Sequence, residues 1–418
     1  FSDWPADLVA GLEGRYRLIH GGYEMDGREI ASLNEDELLQ AVRELQAEGA
    51  KEIALSSVFS TVRSDMEQEA FDLITKAFPD QSVTKSTDIG RLGLLERENA
   101  AIINGALRPL ASDVVESFLA LAKELDLQCP LYFTKNDGTL ISAEQVSRLP
   151  VLTFACGPTN SMRGAAFLSG IKDGLVADVG GTTLDVGEVQ NGFPRPAGTA
   201  VTVADVQTNF SMPDVISIGL GGGSIIDREA VTVGPDSVGH RLLEEAIVFG
   251  GSVLTASDIA VAAGRTQMGS SAVGDLPDLG NLVAAMDQKA ADAIARSRTS
   301  SKSMTVIAVG GGAVLLPEEL DGLPVVRPPH YDLANAIGAA IAQVSGEDSK
   351  IIALAEGMTR EEAIASVVEG AKAAAIANSA DPDTLLVLSQ SDVPLAYLPG
   401  SNLAISVTVV GELNMKGA

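Results

Sequence analysis

The sequence predicts an α/β protein with a mainly parallel sheet and more than one hydrophobic core. Three observations carry that expectation. Helical and strand-like apolar patterns alternate through the first 90 residues, as β-α-β units do. From residue 150 onward, apolar runs end repeatedly in glycine clusters. The 418 residues are 46% hydrophobic but only 4% aromatic, with 42 glycines. That balance suits helices and strands that approach closely, and the length is enough for two good-sized cores.

The elements follow in order. Leu38, Leu39, Val42 and Leu45 recur at helical spacing over 35–48, and Gly49 closes the helix. The run Glu52-Ile-Ala-Leu-Ser56 reads as a buried strand, 66–77 as a second helix, and the residues near Val83 as a short strand. A long helical stretch spans 94–125, with a break expected near Pro109. A strand at 131–134 and the turn Lys135-Asn-Asp-Gly138 come next. Glycine clusters then punctuate the chain at Gly157, at Gly180 and Gly181, at Gly219 to Gly223, and at Gly310 to Gly312. A helix-rich segment (241–300) separates the last two. An Ala-rich helix after 330, a helix at 360–378 and a β-rich tail complete the reading.

Charge and cysteine content narrow the function. The net charge is −27, so a nucleic-acid backbone or an anionic membrane would be repelled. Any phosphate bound here must be held by backbone amides and a metal ion, because basic side chains are scarce. Cys129 and Cys156 are the only cysteines. Two in so long a chain make no disulfide framework, and a reducing, cytoplasmic location is expected. No apolar run is long enough to span a bilayer as a helix, and no secretory signal is present. The chain starts Phe1-Ser-Asp-Trp-Pro without an initiator Met, which reads as the middle of a longer protein.

The most informative motif is the stretch 176–189, Val-Ala-Asp-Val-Gly-Gly-Thr-Thr-Leu-Asp-Val-Gly-Glu-Val. Strands at 175–179 and 184–189 would be joined through Gly180, Gly181, Thr182 and Thr183. If Val179 pairs with Leu184, Asp178 sits opposite Asp185, with Cβ atoms roughly 5 Å apart. Two carboxylates that close repel unless a cation joins them, so the arrangement asks for a divalent metal. The glycines let backbone N–H groups approach phosphate oxygens, and the threonines add hydroxyl donors. A polar hairpin turn with two solvated Asp is the competing reading.

Three more segments admit two readings each. The run 304–317 is a buried strand, then Gly310, Gly311 and Gly312, then an expected helix start. Bare backbone at a strand end suits flat contact with a base or ribose, or else tight strand-to-helix packing. Gly221, Gly222 and Gly223 pose the same choice. The segment 233–237, Val-Gly-Pro-Asp-Ser, reads as a turn. Around 328–340, Ala334, Gly338 and Ala342 form a small-residue stripe for a very close helix crossing between domains, able to act as a hinge. His20, His240 and His330 lack metal-ligand spacing, so zinc is not expected. Cys156 reads as a small buried hydrophobe rather than a nucleophile.

A phosphate hairpin, a strand followed by three glycines and a small-residue helix, in this order, resemble the actin, sugar-kinase and heat-shock-chaperone superfamily. Within it, nearly the whole chain resembles the hydantoinase/oxoprolinase family, in its ATP-binding A-type, N-methylhydantoinase-like form. The carriers are Glu52-Ile-Ala-Leu55 with Glu67-Gln-Glu69, Glu96-Arg97 before Asn99, and Asn136-Asp-Gly138. Cys156-Gly-Pro158 with Gly164-Ala-Ala166, the hairpin from Ala177 to Asp185, Gly221 to Ser224, Val233 to Ser237 and His330 to Ala340 complete the set. The family usually has Ser where Cys156 stands, and many members continue Gly-Pro-Ala-Ala-Gly where this chain reads Gly157-Pro-Thr-Asn-Ser-Met-Arg163. The family's first phosphate loop does not precede Phe1. By the resemblance, two or three βα units of about 30 residues each would be absent there.

The resemblance implies an actin-like (ribonuclease H-like) two-domain ATPase fold, with the first domain incomplete at its N-terminus. Residues 1–170 would be the remainder of that domain, 171–330 the second domain, and 331–418 an inter-domain helix and C-terminal α/β segment. It implies an ATP-dependent cyclic-amide hydrolase of the hydantoin or 5-oxoproline type, using ATP and Mg²⁺. Asp178 and Asp185 would hold the metal and help position the attacking oxygen. Gly180, Gly181, Thr182 and Thr183 would cradle the phosphates, Gly310, Gly311 and Gly312 would lie along the adenosine, and Gly221, Gly222 and Gly223 would line the same cleft. The expected partners are a cyclic amide or related carbonyl substrate and a second hydrolytic subunit or fused domain, in an oligomer. The alternatives are an acetone-carboxylase-type subunit, a small-molecule kinase, and a non-catalytic ATP-binding module or inactive fragment.

Overall fold

A computed structural model describes residues 1–90, 93–198, 201–300, 304–354, 358–395 and 402–414. Its central sheet has seven strands among these residues. Leaving aside the two-residue strands Phe193–Pro194 and Glu319–Leu320, the others are Gly174–Val179, Leu184–Gln190, Val215–Ile218, Val306–Val309 and Leu323–Val326. Numbered in chain order they lie 3-2-1-4-5, with the second antiparallel to its neighbours and the rest parallel. This is the ribonuclease H-like arrangement of the predicted actin-like class.

Alternation along the first strand sets the two faces of the sheet. Leu175, Ala177 and Val179, with Leu184 and Val186, pack on one side against Leu282, Met286, Ala290 and Ile294 of the helix Leu279–Ser297. Val176, Val189, Ile307 and Val309 face the other side, against Met162, Ala165 and Ala166 of the helix Cys156–Ser169. Period two therefore sends Asp178 and Asp185 to the second face, at the strand ends nearest the turn. After Gly310, Gly311 and Gly312 the expected helix is only the 3-10 turn Ala313–Leu315. Leu316 precedes Pro317, and that position is biased out of helical backbone (ψ 147°). The segment read as a turn at 233–237 lies in the strand Thr232–Ser237, paired antiparallel with Ser224–Asp227.

A second sheet orders Leu386–Pro394, Asn402–Gly411, Gln343–Ala353, Thr139–Ser142 and Tyr132–Thr134. Segments from 132–142 and from 343–411 thus share one sheet. The helix Arg360–Ala377 covers it, setting Ala363, Val367, Ala371 and Ala375 on Leu403, Ile405, Val407 and Val409. Near the N-terminus, Glu52–Leu55 and Ser82–Lys85 pair in parallel under the helices Glu35–Ala47 and Asp65–Ala77. The helix Leu94–Glu124 runs unbroken through Pro109, contrary to the expected break. Pro109 forfeits one hydrogen bond, and the residue four earlier is Gly105, whose backbone yields more easily to the ring. No helix among the described residues is long and apolar enough to cross a membrane.

Candidate functional site

The hairpin register is the predicted one: Val179 pairs with Leu184 and Asp178 lies directly across from Asp185. Ser217 stands opposite Asp185 on the next strand. The two carboxylates are half-buried on the face shared with the helix Cys156–Ser169. Burial pushes the Asp178 carboxyl above the usual range and the Asp185 charge adds to this, while a hydrogen bond from Ser161 opposes it. Burial likewise raises Asp185, against a hydrogen bond from Ser217. Ser161 also accepts from Asn335 Nδ2 at 3.2 Å, and the same amide nitrogen donates to the Gly157 carbonyl at 2.9 Å.

Three glycine segments meet at this end of the hairpin. The Gly222 and Gly223 amides donate to the carbonyls of Gly180 (3.0 Å) and Gly181 (2.7 Å), and Gly312 donates to Val179 (2.8 Å). A Cβ on Gly221 would fall 2.5 Å from the Thr182 nitrogen. One on Gly312 would fall 2.8 Å from the Gly180 oxygen. Gly310 has φ +83°, and its Cβ would lie 2.4 Å from Asp178 Oδ1. Close approach therefore explains glycine at each of these positions.

Exposure divides the predicted glycines and threonines into three groups. Gly181, Thr182 and Gly311 are exposed, and their amides have no hydrogen-bond acceptor among the described residues. Gly180, Thr183 and Gly310 are half-buried beside them, whereas Gly221, Gly222, Gly223 and Gly312 are buried and pack on the turn. Exposed backbone with amides left without acceptors, beside two opposed carboxylates, suits an anion with a divalent cation. The oxygen donors fit Mg²⁺, which takes one or two carboxylates and completes its shell with water and phosphate. Among the described residues no third His, Cys, Asp or Glu joins the pair.

Sequence reasoning missed Ser161, Ser217 and Asn335. Ser217 carries a faint signal as a polar residue inside an apolar strand; the other two depend on how two helices cross. That crossing is close. A Cβ on Gly164 would meet the Ala334 carbonyl oxygen at 1.9 Å, and one on Gly338 would meet that of Asn160 at 1.9 Å. The second helix is Ala334–Ala340, so Ala342 of the expected stripe lies beyond its end. Burial raises the Cys156 thiol, which disfavours the thiolate a nucleophile needs.

Comparison with known proteins finds relatives in sequence and in fold. The model described as Hydantoinase/oxoprolinase matches residues 97–275, and the one for the Hydantoinase/oxoprolinase N-terminal region matches 9–78. The chain is 25% identical over 242 residues to caprolactamase subunit alpha of Pseudomonas jessenii, covering 56% of this chain and 34% of that protein. It is 25% identical over 272 residues to the acetophenone carboxylase gamma subunit of Aromatoleum aromaticum, covering 62% and 36%. The chain thus spans about a third of the length of these two relatives. The crystal structure of the ATP-dependent caprolactamase from Pseudomonas jessenii superimposes with TM-score 0.70 at 16% identity, over 95% of this chain and 70% of that one. Nucleotide-free acetone carboxylase gives 0.62 at 16% identity, over 98% and 72%. Both share this fold.

Proposed function

Because this chain belongs to the hydantoinase/oxoprolinase family, we propose that it is the ATP-binding, phosphorylating part of an enzyme that opens a cyclic amide. The observation that carries the reading is the opposed pair Asp178 and Asp185 on the strands joined by a glycine turn whose Gly181 and Thr182 amides have no acceptor among the described residues. A ring amide is resonance-stabilised, and transfer of a phosphoryl group to its carbonyl oxygen makes that oxygen a leaving group. Phosphoryl transfer needs little covalent work from the protein; positioning and charge neutralisation supply most of the catalysis.

The residues divide that work. Gly181 and Thr182 offer their N–H groups to the phosphates, Thr182 and Thr183 add hydroxyls, and Gly310 and Gly311 lie along the adenosine. Gly221, Gly222, Gly223 and Gly312 hold the turn in place from behind. Asp178 and Asp185 hold Mg²⁺, which neutralises phosphate charge when bound. Ser161 and Ser217 orient the two carboxylates. The crossing of Cys156–Ser169 with Ala334–Ala340 is the hinge about which the cleft closes on its substrates. A second subunit or domain completes the hydrolysis, in keeping with the subunit names of the relatives.

The test is ADP release by the protein with hydantoin, 5-oxoproline, ε-caprolactam or no amide, alone and with its partner subunit. ADP formation coupled to ring opening is the expected result. Bicarbonate dependence would instead make it a carboxylase subunit, as in the acetophenone relative, and a stable phosphorylated product a kinase. Failure to bind ATP in the presence of Mg²⁺ would end the reading altogether.

A further inference from the structure

The parallel strands Glu52–Leu55 and Ser82–Lys85 end side by side, and each is followed by serine. Ligands of open α/β sheets settle outside the carboxyl ends of parallel strands. The loop leaving the first strand reads Ser56-Ser57-Val58-Phe59-Ser60-Thr61. The hydroxyl oxygens of Ser56, Ser57, Ser60 and Thr61 are all buried, and none finds a hydrogen-bond partner among the described residues. Folded proteins pair nearly all buried polar groups, so four such hydroxyls within six residues are a local anomaly. Phe59 adds to it, with φ +49° in the left-handed region that bulky side chains avoid. Strain of this kind gathers at binding loops, where the surroundings impose it.

The backbone of the loop, by contrast, is tied down. Arg97 Nη2 donates to the Ser57 carbonyl at 2.7 Å, and the Tyr23 amide donates to Val58 at 3.1 Å. The nearby charged side chains Glu67 and Arg97 are already hydrogen-bonded. Buried Glu67 accepts from Ser86 Oγ (2.7 Å) and the Thr87 amide (3.1 Å), and Arg97 Nε donates to the same Ser86 Oγ at 2.9 Å. The remaining hydrogen-bonding capacity is therefore neutral and can both donate and accept. The Gly93 carbonyl takes Arg97 Nη1 and Asn209 Nδ2, each at 3.4 Å. From Asn209 the chain runs on to the strand Val215–Ile218, which carries Ser217 to Asp185.

We propose that the loop 56–61 is the subsite for the amide group of a neutral cyclic amide, its serine and threonine hydroxyls pairing with the ring N–H and C=O. The choice of a cyclic amide rests on the function proposed above; the site itself rests on the loop.

The experiment is calorimetric titration of the protein with ε-caprolactam and hydantoin, with and without saturating Mg²⁺ and ADP. Mg²⁺–ADP is titrated separately, and Ser60→Ala and Thr61→Val are compared with the parent. Each variant is expected to weaken amide binding about 3- to 10-fold, the worth of one neutral hydrogen bond, and to leave ADP binding unchanged. Each should also melt at or above the parent temperature without ligand, since an unpaired buried hydroxyl has been removed. Unchanged amide affinity in both variants would overturn the proposal, as would a lower melting temperature in both, which marks hydroxyls already paired in the resting protein. No amide binding by a parent protein that does bind ADP would also overturn it. Loss of ADP binding by the parent would instead strike the nucleotide reading.

Discussion

Asp178 and Asp185 face one another on adjacent strands, and each loses water without gaining a cationic side chain. Their folded-state pKa values lie above those of the unfolded chain, so the stability they confer is full below the unfolded value. It is lost as pH rises through the folded one. Above that folded value the charged pair weighs against the fold. Asp178→Asn is expected to raise the melting temperature while lowering turnover by at least about 100-fold; a drop in both would make the residue structural. Mg²⁺ should raise the melting temperature of the parent and have little effect on the variant. Gly310→Ala would place a Cβ 2.4 Å from Asp178 Oδ1 at φ +83°. A stability loss of about 1–3 kcal/mol is expected, with Mg²⁺–ADP binding lost, read by denaturant melts and titration. The pairing was legible in sequence because period two and a four-residue turn leave little choice of register. Ser161 was not, since its neighbour Asn335 is brought in by a helix far along the chain.

At the scale of elements, the crossing of Cys156–Ser169 with Ala334–Ala340 carries the most weight, because Ser161 and Asn335 ride on it. Gly338→Ala would drive a methyl group into the Asn160 carbonyl. The helices would have to part, costing about 1–3 kcal/mol or more in a thermal melt and weakening nucleotide binding through the displaced Ser161. Wild-type nucleotide affinity in the variant would uncouple the crossing from the site. The helix Leu94–Glu124 offers a simpler check, because Pro109 lies inside it. Pro109→Ala should stabilise the protein, by up to about 3 kcal/mol in chemical denaturation. The small-residue stripe was legible from its spacing, whereas its end before Ala342 was not. Gln343 already begins the next strand, and tertiary pairing sets that limit.

Across the whole molecule, nucleotide binding and stability should be linked. At a ligand concentration of about 100 times Kd, Mg²⁺–ADP would stabilise the protein by about 2.7 kcal/mol. A melting curve that does not move under those conditions would argue against the cradle. Strands and helices were largely legible in sequence, because apolar periodicity is local. Which strands join was legible only for the hairpin, since nothing near Thr139 announces that its neighbour is Gln343. That last pairing has a consequence in time. Thr139 and Leu140 leave the ribosome about 200 residues ahead of the strand they pair with, a wait of roughly 10–40 s at ordinary rates of synthesis. The hairpin sheet can close while Thr139–Ser142 still exposes an unpaired edge, and the nascent chain is most open to a chaperone, or to misassembly, in that interval.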